Sequence, residues 1–233
     1  MARAKKPRDQ TRNGRAEERV FNAILDAVLD HRLPPGTKLK ERELTEIFGA
    51  SRAAVRAALS RLGHSLLVEL RPNRGAVIAN PSITETHDLF EARRVLECAV
   101  LPGLARNLNA RQLAELRAFV QEEQRAYDRG DFKAGQRRSI RFHKLLSELA
   151  GNATIDRFME QLICRTPLLA LARTGRIAYC GAAEHREIVE ALARRDGAAA
   201  VRSMTEHLVN VERQLSAKDE PAPPPSLAAA LTA

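Results

Sequence analysis

The stretch from Lys40 to Leu62, KERELTEIFGASRAAVRAALSRL, limits the fold of this chain more than any other, because two helical periods meet across a break that only a tight turn can fill. Leu44, Ile47 and Phe48 recur at helical spacing, Gly49 and Ala50 interrupt them, and Ser51 stands where it can cap a second helix. Val55, Ala58, Leu59 and Leu62 give that second helix an apolar stripe, while Arg52 and Arg56 fall one turn apart on another face. In a helix-turn-helix the first helix braces and the start of the second enters the major groove, where arginine forks onto guanine edges or grips phosphate. A solvated helix pair with two ordinary arginines has the same pattern. Context has to decide between them.

Charge is part of that context. The chain has 38 Lys and Arg against 29 Asp and Glu, a formal charge of +9. Residues 1 to 80 hold 16 of the cations and 9 of the anions, so nearly all of the excess surrounds the helix pair, as expected of a nucleic-acid footprint. A basic membrane-surface helix with aromatic anchors is not visible, and no window approaches a membrane span. Cys98, Cys164 and Cys180 lack any C-x-x-C spacing, and the basic start MARAKKPRDQTRNGR has no apolar core behind it. Both features fit a cytoplasmic protein.

Taken in order, residues 1–15 read as a mobile basic arm. A helix from Glu17 to about His31 follows, with Val20, Ile24, Ala27 and Val28 on one face, and Pro34-Pro35-Gly36 ends it. After the helix pair the period changes: runs at Leu66 to Leu70 and Ala76 to Ile78 flank a turn with Pro72, Asn73 and Gly75, which makes a small hairpin. Residues 16–79 therefore form a winged helix-turn-helix, three helices plus a β-hairpin wing, with Arg71 and Arg74 at the wing tip. Residues 80–84 read as a hinge, and Ser82 to Glu85 has the S-x-x-E form of a capping box. Residues 85–216 read as helix after helix, an all-α bundle, with Leu89, Val95, Leu96 and Val100 turned inward on the first. Residues 217–233, Pro- and Ala-rich, read as a loose tail.

The segment from Val20 to Ile78 resembles the winged helix of the GntR family of bacterial transcription regulators, through PPGTKLKERELTEIFGASRAAVRAAL and NRGAVI. The resemblance implies contacts to double-stranded operator DNA from Arg42, Ser51, Arg52, Arg56, Arg74 and Gly75. Ala57 stands where the family usually has Glu, and Gly63-His64-Ser65 replaces its acidic approach to the wing, but neither change removes a DNA-facing arginine.

His143, His185 and His207 each lie in or at the start of a helix with an apolar stripe. Imidazoles from three helices can converge on one divalent ion, although a helical histidine more often makes an ordinary hydrogen bond. SIRFHKLLSELAGN, EHREIVEALARRD and MTEHL resemble the three His-bearing blocks of the FCD effector domain of FadR-like regulators. That resemblance implies a metal (Zn, Ni or Mn) on the three histidines, with Ser139 in the place of the family's usual Asp ligand. It further implies that Arg93, in LFEARRVLE, meets the carboxylate of a small acidic effector, with Arg141 and Asn152 as further effector-binding candidates. An internal acid such as Glu97, one turn on, is the competing partner for Arg93.

The expected whole is a homodimeric, ligand-responsive regulator, most often a repressor in this family, and not an enzyme. A metal-dependent hydrolase built on the histidines is one alternative, although no H-E-x-x-H occurs. A non-specific architectural DNA binder is the other.

Overall fold

A computed structural model describes residues 7–72, 74–174, 181–216 and 226–232. They cluster into two units: one runs up to Asn80 and takes in the segment after Pro221, the other is Pro81–Glu220.

In the first unit α1 (Pro7–Leu29) begins with a proline, which suits a first turn whose N–H groups have no intrahelical acceptor. Residues 7–15, expected to be a mobile arm, are its opening turns; residues 1–6 lie outside the described residues. Val20, Ile24, Ala27 and Val28 are buried, as their spacing predicts. There follow β1 (Lys38–Leu39), α2 (Glu41–Phe48), α3 (Arg52–His64), β2 (Val68–Arg71) and β3 (Gly75–Ile78). The wing has a strand more than the expected hairpin: the sheet is antiparallel in the order β1-β3-β2, with Leu39 opposite Ala76 and Arg71 opposite Gly75. A two-residue strand is too short to leave an alternating pattern.

The end of the chain is a second difference. Instead of a wholly loose tail, α10 (Leu227–Thr232) packs on α1, burying Ala230 and Leu231, with the Arg32 guanidinium donating to the Ala230 carbonyl. Residues 217–225 lie outside the described residues.

The second unit consists of α4 (Ile83–Asn107), α5 (Ala110–Asp128), α6 (Phe132–Leu149), α7 (Ala153–Thr174), α8 (Ala182–Ala193) and α9 (Gly197–Ser216). The capping box is present: Ser82 Oγ accepts from the Glu85 N–H at 3.1 Å, and Glu85 Oε2 accepts from the Ser82 N–H at 2.7 Å. Residues 83 and 84, expected in the hinge, are the first turn of α4. Phe90, Leu101, Leu116, Phe142 and Ile188 are among the side chains that fill the core. The inward line of α4 departs from the sequence reading. Val95 is 64% exposed, and Arg93 and Glu97 are buried in line with Leu89 and Leu101. Two opposite charges one turn apart neutralise each other and can replace apolar residues on a buried face, which hydrophobic periodicity cannot register. Among the described residues no helix is long and apolar enough to cross a membrane.

Candidate nucleic-acid interface and metal centre

The turn between α2 and α3 is built by Gly49, whose left-handed φ of 55° ends the first helix, and by Ser51, whose Oγ accepts from the Ala54 N–H at 3.1 Å and so caps the second. That hydroxyl also donates to Asn13 Oδ1 at 2.6 Å. Arg52 lies exposed in the first turn of α3. Arg56 is also outward, its Nε donating to both Glu41 oxygens at 3.0 and 2.8 Å, and Arg42 donates to Glu46 at 2.9 Å with 86% of its side chain exposed. Exposed pairs of this kind contribute about 0–1 kcal/mol, so the guanidiniums are readily surrendered to a stronger anion.

Arg74 lies exposed in the turn between β2 and β3, beside Arg71, which pairs with Glu69 at 2.7 Å. Gly75 differs from the other residues assigned to DNA contact because it is buried. Its φ is +84°, and a Cβ there would lie 2.2 Å from the Leu39 carbonyl oxygen. The glycine is required by the close passage of β3 past β1, which aims Arg74 outward.

In the second unit α6, α8 and α9 bring His143, His185 and His207 together, all three buried. The Nε2 atoms of His185 and His207 are 3.3 Å apart, as are those of His207 and His143. Phe142 stacks on His185 with ring centroids 4.3 Å apart, walling one side. Every Nδ1 faces a carboxylate: His143 meets Glu97 of α4 at 2.5 Å, His185 meets Glu123 of α5 at 2.8 Å, and His207 meets Glu184 of α8 at 2.7 Å. A carboxylate at Nδ1 holds the proton there and leaves Nε2 as a lone pair. Nε2 atoms so turned towards one another offer a set of donors that a shared cation can occupy.

Of these acids the sequence points only to Glu97, as a partner for Arg93, and to no contact at Nδ1 for Glu123 or Glu184. The available signal was position: Leu116, Val120, Glu123 and Tyr127 share one helical face, and an acid on an apolar stripe needs a buried partner.

Arg93 is buried and engaged. Its Nε donates to Glu97 Oε1 at 2.7 Å and its Nη1 to Thr166 Oγ1 at 3.1 Å, while Nη2 is buried with no hydrogen-bond partner. Burial alone would raise the Glu97 pKa, but the adjoining Arg93 charge and His143 outweigh it and hold the carboxyl at about 2. Ser139 is buried one turn before His143, on the same face of α6. Arg141 and Asn152 are not brought to the histidines. Arg141 lies at the surface in a two-pronged pair with Glu148, both contacts at 2.8 Å, and the Asn152 side chain accepts from the Thr154 and Ile155 N–H groups at the start of α7. Cys98 and Cys164 are free thiols; Cys180 lies outside the described residues.

A capped helix with outward arginines beside an arginine-tipped wing defines a winged helix-turn-helix regulator, here followed by an all-helical bundle. Residues 16–78 match the model of the bacterial regulatory proteins, gntR family, and residues 88–210 match the FCD domain. The chain belongs to the GntR family of bacterial transcription regulators, in the branch that carries an FCD domain. It is 26% identical over 211 residues to the HTH-type transcriptional repressor RspR of Escherichia coli, covering 85% of this chain and 88% of that protein. It is 30% identical over 195 residues to the HTH-type transcriptional regulator Mce2R of Mycobacterium tuberculosis, covering 75% and 81%. A solved putative GntR regulator from Rhodococcus superposes with a TM-score of 0.74 at 26% identity, covering 85% of this chain and 96% of its own. These relatives are regulators and not enzymes, which removes the hydrolase alternative.

Proposed function

We propose that this chain is a dimeric, sequence-specific repressor, cytoplasmic, whose helical bundle binds a divalent ion on His143, His185 and His207 and senses a small organic acid. One observation carries the metal reading: three imidazoles turn their Nε2 atoms towards one another while a carboxylate faces each Nδ1. An ion bound at about 2.0–2.1 Å in tetrahedral geometry spaces its nitrogen donors about 3.3 Å apart, the separation of two of the three pairs. Neutral nitrogen donors favour zinc or nickel over manganese, and a hydroxyl at Ser139 is a far weaker ligand than the carboxylate usual there. A coordination position is thereby left to water or to the acid itself. When bound, the ion supplies positive charge for an anionic guest; Glu97, Glu123 and Glu184 orient the imidazoles, and Phe142 keeps water from His185.

Arg52, Arg56 and Arg74 support the DNA reading by being outward and loosely held, with Arg42 at the edge. Two such heads suit a pseudo-palindromic operator, since a single module buries too little surface for tight binding. The test is elemental analysis with operator gel shifts, before and after chelation. Near one zinc or nickel per chain and a large preference for operator over random duplex are expected. A metal-free protein with unchanged DNA binding would remove the metal reading, and equal affinity for all duplexes would favour an architectural binder.

A further inference from the structure

The two oxygens of one buried carboxylate serve different masters. Glu97 Oε1 accepts from Arg93 Nε at 2.7 Å, and Glu97 Oε2 meets His143 Nδ1 at 2.5 Å, with the Arg93 and Glu97 side chains 3% and 4% exposed. His185 and His207 have different carboxylate partners, Glu123 of α5 and Glu184 of α8. Arg93 also keeps one buried, unpartnered nitrogen, Nη2, beside a contact to Thr166 of α7. An unsatisfied guanidinium N–H in a dry interior is costly, and an anion arriving there relieves it.

We propose that Glu97 is a positioning residue that transmits the state of Arg93 to His143, the imidazole it holds. The carboxylate divides its charge between two donors. An anion that occupies Arg93 weakens its hold on Glu97, so more of the carboxylate's charge falls on the His143 Nδ1–H and makes Nε2 a stronger electron-pair donor to a cation. In the other direction, a cation at Nε2 polarises the ring and draws Glu97 towards His143, which frees Arg93 for an anion. The coupling is positive and, as a linkage between two binding equilibria, equal in both directions. No bond is made or broken; only hydrogen-bond strength is redistributed. The relay itself stands on the geometry of Arg93, Glu97 and His143. Its consequence for a metal rests on the function proposed above.

The experiment uses the full chain labelled with 15N-histidine and treated with chelator. Arg93→Gln is expected to move the ring-nitrogen resonances of His143 and to leave those of His185 and His207 in place. In a Glu97→Gln background the same Arg93→Gln change is expected to move none of them. Zinc titration of the same proteins is expected to give a change of about fivefold or more in affinity on Arg93→Gln with Glu97 present, and less than about twofold without it. His143 resonances indifferent to Arg93→Gln, or an equal zinc effect in both backgrounds, overturn the proposal. If the Glu97→Gln protein does not fold, Arg93→Lys replaces it: the retained charge should move His143 less than Arg93→Gln does, and equal shifts would count against the relay. A protein that takes up no zinc but still shows the His143 response loses the metal reading and keeps the relay.

Discussion

The two units handle arginine in opposite ways. In the DNA-reading unit Arg42 and Arg56 have side chains 86% and 65% exposed, tied to Glu46 and Glu41 by bridges that solvent already weakens. In the bundle Arg93 is 3% exposed and locked between Glu97 and Thr166. A guanidinium on the surface is an instrument for meeting a partner that comes and goes, because releasing its neighbour costs almost nothing. A guanidinium in the core is part of the architecture, and anything that alters it must be chemically matched to a small dry space. One unit is thus suited to a large, variable polyanion, and the other, on the function proposed above, to a small, specific guest.

If that contrast is right, damage should scale with burial. Glu97→Ala, which strands the buried Arg93 charge, should cost about 3–5 kcal/mol of stability in urea denaturation; a loss below about 1 kcal/mol would mean the core pair is as expendable as a surface one. Zinc at a thousandfold excess over its dissociation constant should raise the bundle's stability by about 4 kcal/mol, and His207→Ala should abolish the gain. Gly75→Val places a side chain against the Leu39 carbonyl at a positive φ, so about 1–3 kcal/mol of strain should appear in the head's thermal transition together with weaker operator binding. Arg52→Ala should cost about 1–3 kcal/mol in operator affinity if it reads a base, with the folded state unmoved. Smallest of all, Arg42→Ala should change stability by less than about 0.5 kcal/mol, measured by the same denaturation.

How much the sequence disclosed follows the same division. Val20, Ile24, Val55, Leu59 and the Ser51 cap were readable because an amphipathic surface helix writes its orientation into its periodicity. The three histidines were nameable as a group, but the acids behind them were not, because each contact joins different helices and nothing in linear spacing records which helices pack. Val95 was misplaced for a related reason: Arg93 and Glu97 occupy the inward positions of α4, so a search for apolar residues finds the wrong face. Arg141 lies two residues from His143, about 200° around the helix, where it pairs with Glu148. β1 and α10 escaped notice because elements of two and six residues carry too few positions to show a period.

The short α10 has a consequence for how such a chain is made. During synthesis the head's own helices and strands emerge before the bundle, but the contact of α1 with α10, in which Ala230 and Leu231 are buried, must wait until the entire bundle has been translated. The head is therefore translated before the bundle but completed only after it.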